Sequence, residues 1–120
     1  MCDIGIIKMK MVIAVVKPFK LTEVRKALND IGVHGMTVTD VRGYGRQKGK
    51  SDVYVGLDAA NAFVNKVKLD IAVEDNQVDA VVDTILKAAG SGKVGDGKIF
   101  VYNLETVVRI STHERDASAI

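Results

Sequence analysis

Apolar residues follow two different periods along this chain. Met11-Val12-Ile13-Ala14-Val15-Val16 is an unbroken β-prone run, the pattern of a strand buried on both faces. Pro18 blocks its continuation as a central strand. Leu21, Val24, Ala27, Leu28 and Ile31 then recur at helical spacing, with Glu23 in the first turn and Gly32 as a stop. Met36, Val38 and Val41 begin a second strand with looser alternation. From Lys66 to Val73, charged and apolar residues alternate over the first six positions, which predicts a strand with one wet face. Val78, Val81, Val82, Ile85, Leu86 and Ala89 form a second helical stripe, closed by Gly90. Ile99 to Tyr102 reads as the last core strand, and Val107 to Ile110 is a candidate extension of the sheet. The order β-α-β-β-α-β predicts an α+β, ferredoxin-like sandwich. Its halves show no clear sequence repeat.

The stretch at about 43–65 fits neither period. Loops beyond roughly 12–15 residues are uncommon in compact domains and are usually functional or disordered.

Composition narrows the function classes. The 120 residues suit one domain with a single hydrophobic core. Lys and Arg exceed Asp and Glu by 17 − 15 = 2, too little to imply nucleic-acid binding. The one cysteine, Cys2, can form neither an internal disulfide nor a cysteine zinc site. The apolar run near the start is too short for a membrane span or a signal segment. The reading is a cytoplasmic protein without direct membrane insertion. Residues 1–8, broken by Asp3 and Gly5, read as an N-terminal extension or tail, with Met9 and Met11 as alternative starts. Residues 9–120 read as the domain.

The candidate chemistry centres on Ser91-Gly92-Lys93-Val94-Gly95-Asp96-Gly97-Lys98-Ile99-Phe100-Val101. Glycines let a backbone turn with φ > 0 and approach a ligand, successive N–H groups form an anion-binding concavity, and lysines suit phosphate. Gly92, Gly97 and Lys98 have the spacing of a Walker loop. Ile99, however, stands where a Ser or Thr would hold magnesium, and a strand follows where a helix should. A P-loop NTPase is therefore rejected. A phosphate cradle and a plain glycine-rich connection both remain open on these residues. Arg42, Arg46, Lys48 and Lys50 form a cationic run that also suits a solvated loop face. His34 and His113 have no partners at metal spacing and read as surface residues. No catalytic grouping of Ser, His and Asp or of Cys and His is visible, so no enzyme is inferred.

Ser/Thr, three residues, then Gly-Asp-Gly-Lys-Ile-Phe-Val resembles the C-terminal signature of the PII nitrogen signal-transduction proteins. Val16-Lys17-Pro18-Phe19-Lys20, Gly35-Met36-Thr37-Val38-Thr39 and Gly43-Tyr44-Gly45-Arg46-Gln47-Lys48-Gly49 extend the resemblance from about Met9 to Ile120. The resemblance implies a homotrimer that binds ATP or ADP, and 2-oxoglutarate with Mg-ATP, in clefts between subunits. It would regulate a nitrogen-metabolism enzyme, transporter or regulator through the long T-loop at 43–65. Implied nucleotide-binding residues are Gly35, Thr37, Gly45, Arg46, Gln47, Gly95, Asp96, Gly97, Lys98 and Arg109. Gln47 would coordinate Mg²⁺ and 2-oxoglutarate, and Lys66 would pair with a 2-oxoglutarate carboxylate.

Three departures bear on the output arm. The segment Tyr54-Val55-Gly56-Leu57-Asp58-Ala59 has Ala59 at the tyrosine that relatives uridylylate, so no modification is expected there. Leu57 replaces a serine that some members phosphorylate, and Val55 replaces an arginine that plugs ammonium channels in some members. Arg109-Ile110-Ser111 lacks the second arginine of the family pattern. The rival readings are a divergent paralogue that binds nucleotide and regulates a different transporter or enzyme, and a slow ATPase.

Overall fold

The structure, a computed structural model, describes residues 8–44 and 63–120. Most of the long arm and the start of the chain, including Cys2, lie outside the described residues.

The first apolar run becomes strand β1, Met9–Val16. Pro18 opens a short 3-10 turn, Pro18–Lys20, which feeds helix α1, Leu21–Asp30. Val24 and Leu28 are buried, whereas Ile31, placed on the helical stripe by its spacing, lies just past the helix and is 44% exposed. Gly32 stops α1 as expected. It turns at φ +88°, its N–H donates to the Asn29 carbonyl at 3.0 Å, and the Val33 N–H donates to the Leu28 carbonyl at 2.9 Å. That is a Schellman motif, and buried Val33 joins Leu28 in the core.

Strand β2 spans Thr37–Gly43 and strand β3 spans Val64–Glu74. A capping box between Glu74 and Gln77 leads into helix α2, Val78–Ala89. Val81, Ile85 and Ala89 are buried, but Leu86 is 58% exposed. Gly90 ends α2 in an extended conformation rather than a left-handed one. A Cβ there would come within 2.6 Å of the Leu86 carbonyl oxygen, so close approach is what requires glycine. Strand β4 spans Gly97–Leu104.

These strands form one antiparallel sheet in the order β2-β3-β1-β4. Val12, Ala14, Leu69 and Ile71 pack against Val24, Leu28, Val81 and Ile85 to build the core. β1 alternates between buried and half-buried positions within the chain. Register places Met11 beside Tyr102 and Ile13 beside Phe100. Directly paired residues share a face, so these four lie on the face away from the helices. Phe100 and Tyr102 are 49% and 51% exposed.

Val107 to Ile110 does not extend the sheet. Its backbone groups are taken up locally: Asp116 N–H donates to the Val107 carbonyl at 2.7 Å and Arg109 N–H to the Glu114 carbonyl at 2.9 Å. Val108 and Arg115 form an isolated bridge in a tight C-terminal turn.

Candidate functional site

The end of β1 and the start of β4 fix the centre of the site. Val16 pairs with Gly97, so Lys17 and Asp96 are the next residues out. Gly97 has φ +111°, and a Cβ there would overlap the Val15 carbonyl oxygen. Gly92 and Gly95 also take positive φ, at +78° and +96°. The glycine-rich segment is therefore a series of sharp turns leading into a strand, not into a helix.

The Asp96 carboxylate holds these turns together. One oxygen accepts from the Ser91 hydroxyl at 2.5 Å and from Lys17 Nζ at 3.2 Å. The other accepts from the N–H groups of Ser91 at 2.7 Å and Gly92 at 3.0 Å. The Ser91 hydrogen bonds, joined by Lys17, hold the carboxyl well below the usual carboxylate range.

Lys66 reaches the same place from β3. Its Nζ donates to the Gly95 carbonyl, and the residue is only 8% exposed. The alternating pattern predicted a wet face, but the glycine-rich turns lie against this lysine. Burial lowers its pKa, the like charge of Lys17 lowers it further, and Asp96 opposes both. Two ammonium groups and one carboxylate from three separate segments thus meet at one loop. Its donors fit an anion, and a metal cation would have to arrive with phosphate oxygens and further oxygen ligands.

Lys98 follows Gly97 on β4, and both line a 340 Å³ cavity with Asp96, Leu86 and Gly90. Gly35, Thr37 and Arg109 line a different cavity, of 440 Å³, with His34 and Ile120. Arg109 Nη2 donates to the Ile120 main-chain oxygen at 3.4 Å, and its Nε lies 3.7 Å from Glu114 Oε1. His34 hydrogen-bonds Asn29 and is exposed, as is His113. Thr37 and Phe100 share a row through Asp70 and Ile13, on opposite edges of the sheet. At about 4.8 Å per strand, three spacings separate those edges by about 14 Å. One chain thus brings Gly95, Asp96, Gly97, Lys98 and Lys66 together, and Gly35, Thr37 and Arg109 together, as two groups. Gly45, Arg46, Gln47, Val55, Leu57 and Ala59 lie outside the described residues.

Sequence reasoning alone assigns no role to Lys17 or Ser91. The signal for Ser91 was its hydroxyl five residues before an aspartate. For Lys17 the only signal was its place after the β1 run, and its partner required the β1–β4 register.

Three comparisons relate this chain to known proteins. A family model described as "Nitrogen regulatory protein P-II" matches residues 9–114. The chain is 52% identical to the nitrogen regulatory protein GlnK of Escherichia coli (strain K12) over 112 residues, covering 93% of this chain and all of that protein. It has the same identity and coverage against the nitrogen regulatory protein P-II of Rhizobium etli. A crystal structure of Arabidopsis thaliana PII bound to citrate superposes with a TM-score of 0.80 at 40% identity, covering 94% of this chain and 92% of that one.

Proposed function

The chain belongs to the nitrogen regulatory protein P-II family, and from that membership we propose how its site is used. It is a PII-like signal-transduction regulator. ATP and ADP compete for a cleft, and 2-oxoglutarate joins Mg-ATP there. Gly95, Asp96, Gly97 and Lys98 wrap the phosphates, with Gly35, Thr37, Gly45, Arg46 and Arg109 completing the nucleotide site. Gln47 supplies an oxygen ligand to Mg²⁺ beside the ATP phosphates, and Lys66 pairs with a carboxylate of 2-oxoglutarate. Residues 9–120 act as the regulatory domain.

The observation that carries this reading is buried Lys66 with its ammonium on the Gly95 carbonyl. A buried ammonium whose acceptor is a neutral carbonyl gains a further Coulomb attraction when a carboxylate joins or replaces that carbonyl, so the site favours an anion. The citrate bound to the Arabidopsis relative is a polycarboxylate, which is compatible with a carboxylate effector here. The division of nucleotide residues between two sheet edges supports a homotrimer whose clefts combine the edges of neighbouring copies. The uncovered face bearing Phe100 and Tyr102 supports burial against those copies.

Ligand state biases the T-loop and so selects a target transporter or enzyme in the cytoplasm. The protein acts as a sensor rather than an enzyme. No helix among the described residues is long and apolar enough to cross a membrane. Val55, Ala59 and Ser111 favour a second reading: a paralogue, not uridylylated at residue 59, that serves a different partner.

Calorimetry tests the first reading. 2-Oxoglutarate should bind only with Mg-ATP, and Gln47→Ala or Lys66→Ala should abolish it. Equal binding without nucleotide, or with ADP, would remove the site from consideration. Steady-state phosphate release would identify a slow ATPase instead.

A further inference from the structure

We propose that Glu114 is a positioning residue that holds the Arg109 guanidinium on the chain's own oxygens and thereby limits its affinity for nucleotide phosphates. This rests on the reading of Arg109 as a nucleotide-binding residue.

The backbone brings the two residues together. Arg109 N–H donates to the Glu114 carbonyl at 2.9 Å, and His113 N–H donates to the Arg109 carbonyl at 2.8 Å. The crossing is repeated further along, where Asp116 N–H donates to the Val107 carbonyl at 2.7 Å and Asp116 Oδ1 accepts from the Val107 N–H at 3.3 Å. His113 and Asp116 take left-handed backbone conformations, at φ +64° and +57°, within this reversal. The turn therefore fixes Glu114 beside Arg109 without help from either side chain.

The side chains then occupy one edge of the guanidinium. The Thr112 hydroxyl donates to Glu114 Oε1 at 2.8 Å, and the same oxygen lies 3.7 Å from Arg109 Nε. Arg109 Nη2 donates to the Ile120 main-chain oxygen at 3.4 Å. Nε and Nη2 are the two prongs of the edge with which an arginine takes two oxygens of one phosphate. Both prongs are thus turned to internal oxygens, at the wall of the cavity that Arg109 and Ile120 line with Gly35 and Thr37. Both contacts are long, and the Arg109 and Glu114 side chains are about half exposed. The hold is that of an exposed ion pair, weak enough for a phosphate to displace yet subtracted from what the phosphate gains.

The test is a double-mutant cycle on the full chain, with Glu114→Gln, Arg109→Ala and the two combined. Calorimetry measures ADP and ATP at two salt concentrations, with thermal melting alongside. Glu114→Gln keeps an acceptor for Thr112 and removes the charge. It should tighten both nucleotides by about 2- to 5-fold, the scale of an exposed ion pair, with the melting temperature little changed. The gain should shrink as salt rises. Most of it should disappear in the Arg109→Ala background, where there is no guanidinium to release. Unchanged or weaker binding in Glu114→Gln overturns the proposal, because a residue needed by the turn or by the ligand lowers affinity when removed. A gain that persists undiminished without Arg109 also overturns it, leaving only general repulsion between Glu114 and the phosphates. If the wild-type protein binds neither nucleotide, or Arg109→Ala binds both as tightly as wild type, the reading of Arg109 itself fails and this proposal with it.

Discussion

A Cβ on residue 97 would overlap the carbonyl oxygen of Val15, so Gly97 lets β4 begin in register beside the end of β1. Gly97→Ala therefore meets both a backbone clash and a positive φ. It should cost more than about 3 kcal/mol, combining about 1–2 kcal/mol of left-handed strain with displacement of the strand. Gly92→Ala has a positive φ but nothing within 4 Å of its Cβ, and should cost only about 1–2 kcal/mol. Thermal or denaturant unfolding of both variants checks the difference, and equal losses would contradict the proposed role of the Val15 contact.

The Asp96 carboxyl gives a pH-dependent prediction. Its pKa is depressed in the folded chain, so its contribution is fully present above the unfolded carboxyl value, about 3.9. The contribution is lost as pH falls from there through the lower folded value. The Ser91 and Gly92 amides should thus keep their protection from hydrogen exchange through about pH 4. Asp96→Asn replaces one acceptor oxygen with an amide donor, and these two amides should lose protection even at neutral pH. Residue-resolved exchange by NMR measures both effects, and retained protection in Asp96→Asn would show that another group holds the loop.

The exposed face of the sheet yields a test of assembly. Phe100 lies beside Ile13 on that face, opposite the helices. Phe100→Asp places a charge there without touching the Val24–Leu28–Val81–Ile85 core. The proposed homotrimer should dissociate to monomer in sedimentation at micromolar concentration, while the secondary structure of the chain is retained. A trimer that survives would place the interface elsewhere.

Much of the fold was legible because its signals were local. Helical spacing found α1 and α2, and Gly32 as a stop became a Schellman motif. Alternation identified β3 but misplaced Lys66 on a wet face, because the turns that lie against it come from 29 residues later. Val107 to Ile110 has strand-like composition, yet its hydrogen bonds close on residues 114 to 116. The loop signature marks Gly95 to Lys98 as a candidate site. It did not reveal that Asp96 takes Lys17 as a counter-ion, because that pairing follows from strand register.

Ser111 stands where the PII resemblance implies a second arginine. It is exposed in the turn between Arg109 and Glu114. Arg109 is already shared between Glu114 and the Ile120 main chain, so phosphate would have to compete for its guanidinium. A guanidinium offers phosphate a fork of donors, whereas serine offers one neutral hydroxyl. Hydrogen bonds to charged groups contribute roughly 1.5–3 kcal/mol net, and each ~1.4 kcal/mol is tenfold in affinity. Ser111→Arg should therefore tighten ATP and ADP binding by about 10- to 100-fold, less so at high salt because the position is open to solvent. The competing account is that Lys93 or another cation already fills the gap, in which case a further arginine meets like charge. Titrating both nucleotides at two salt concentrations separates the accounts. Unchanged or weaker affinity would rule out a missing arginine and indicate a rebuilt phosphate site.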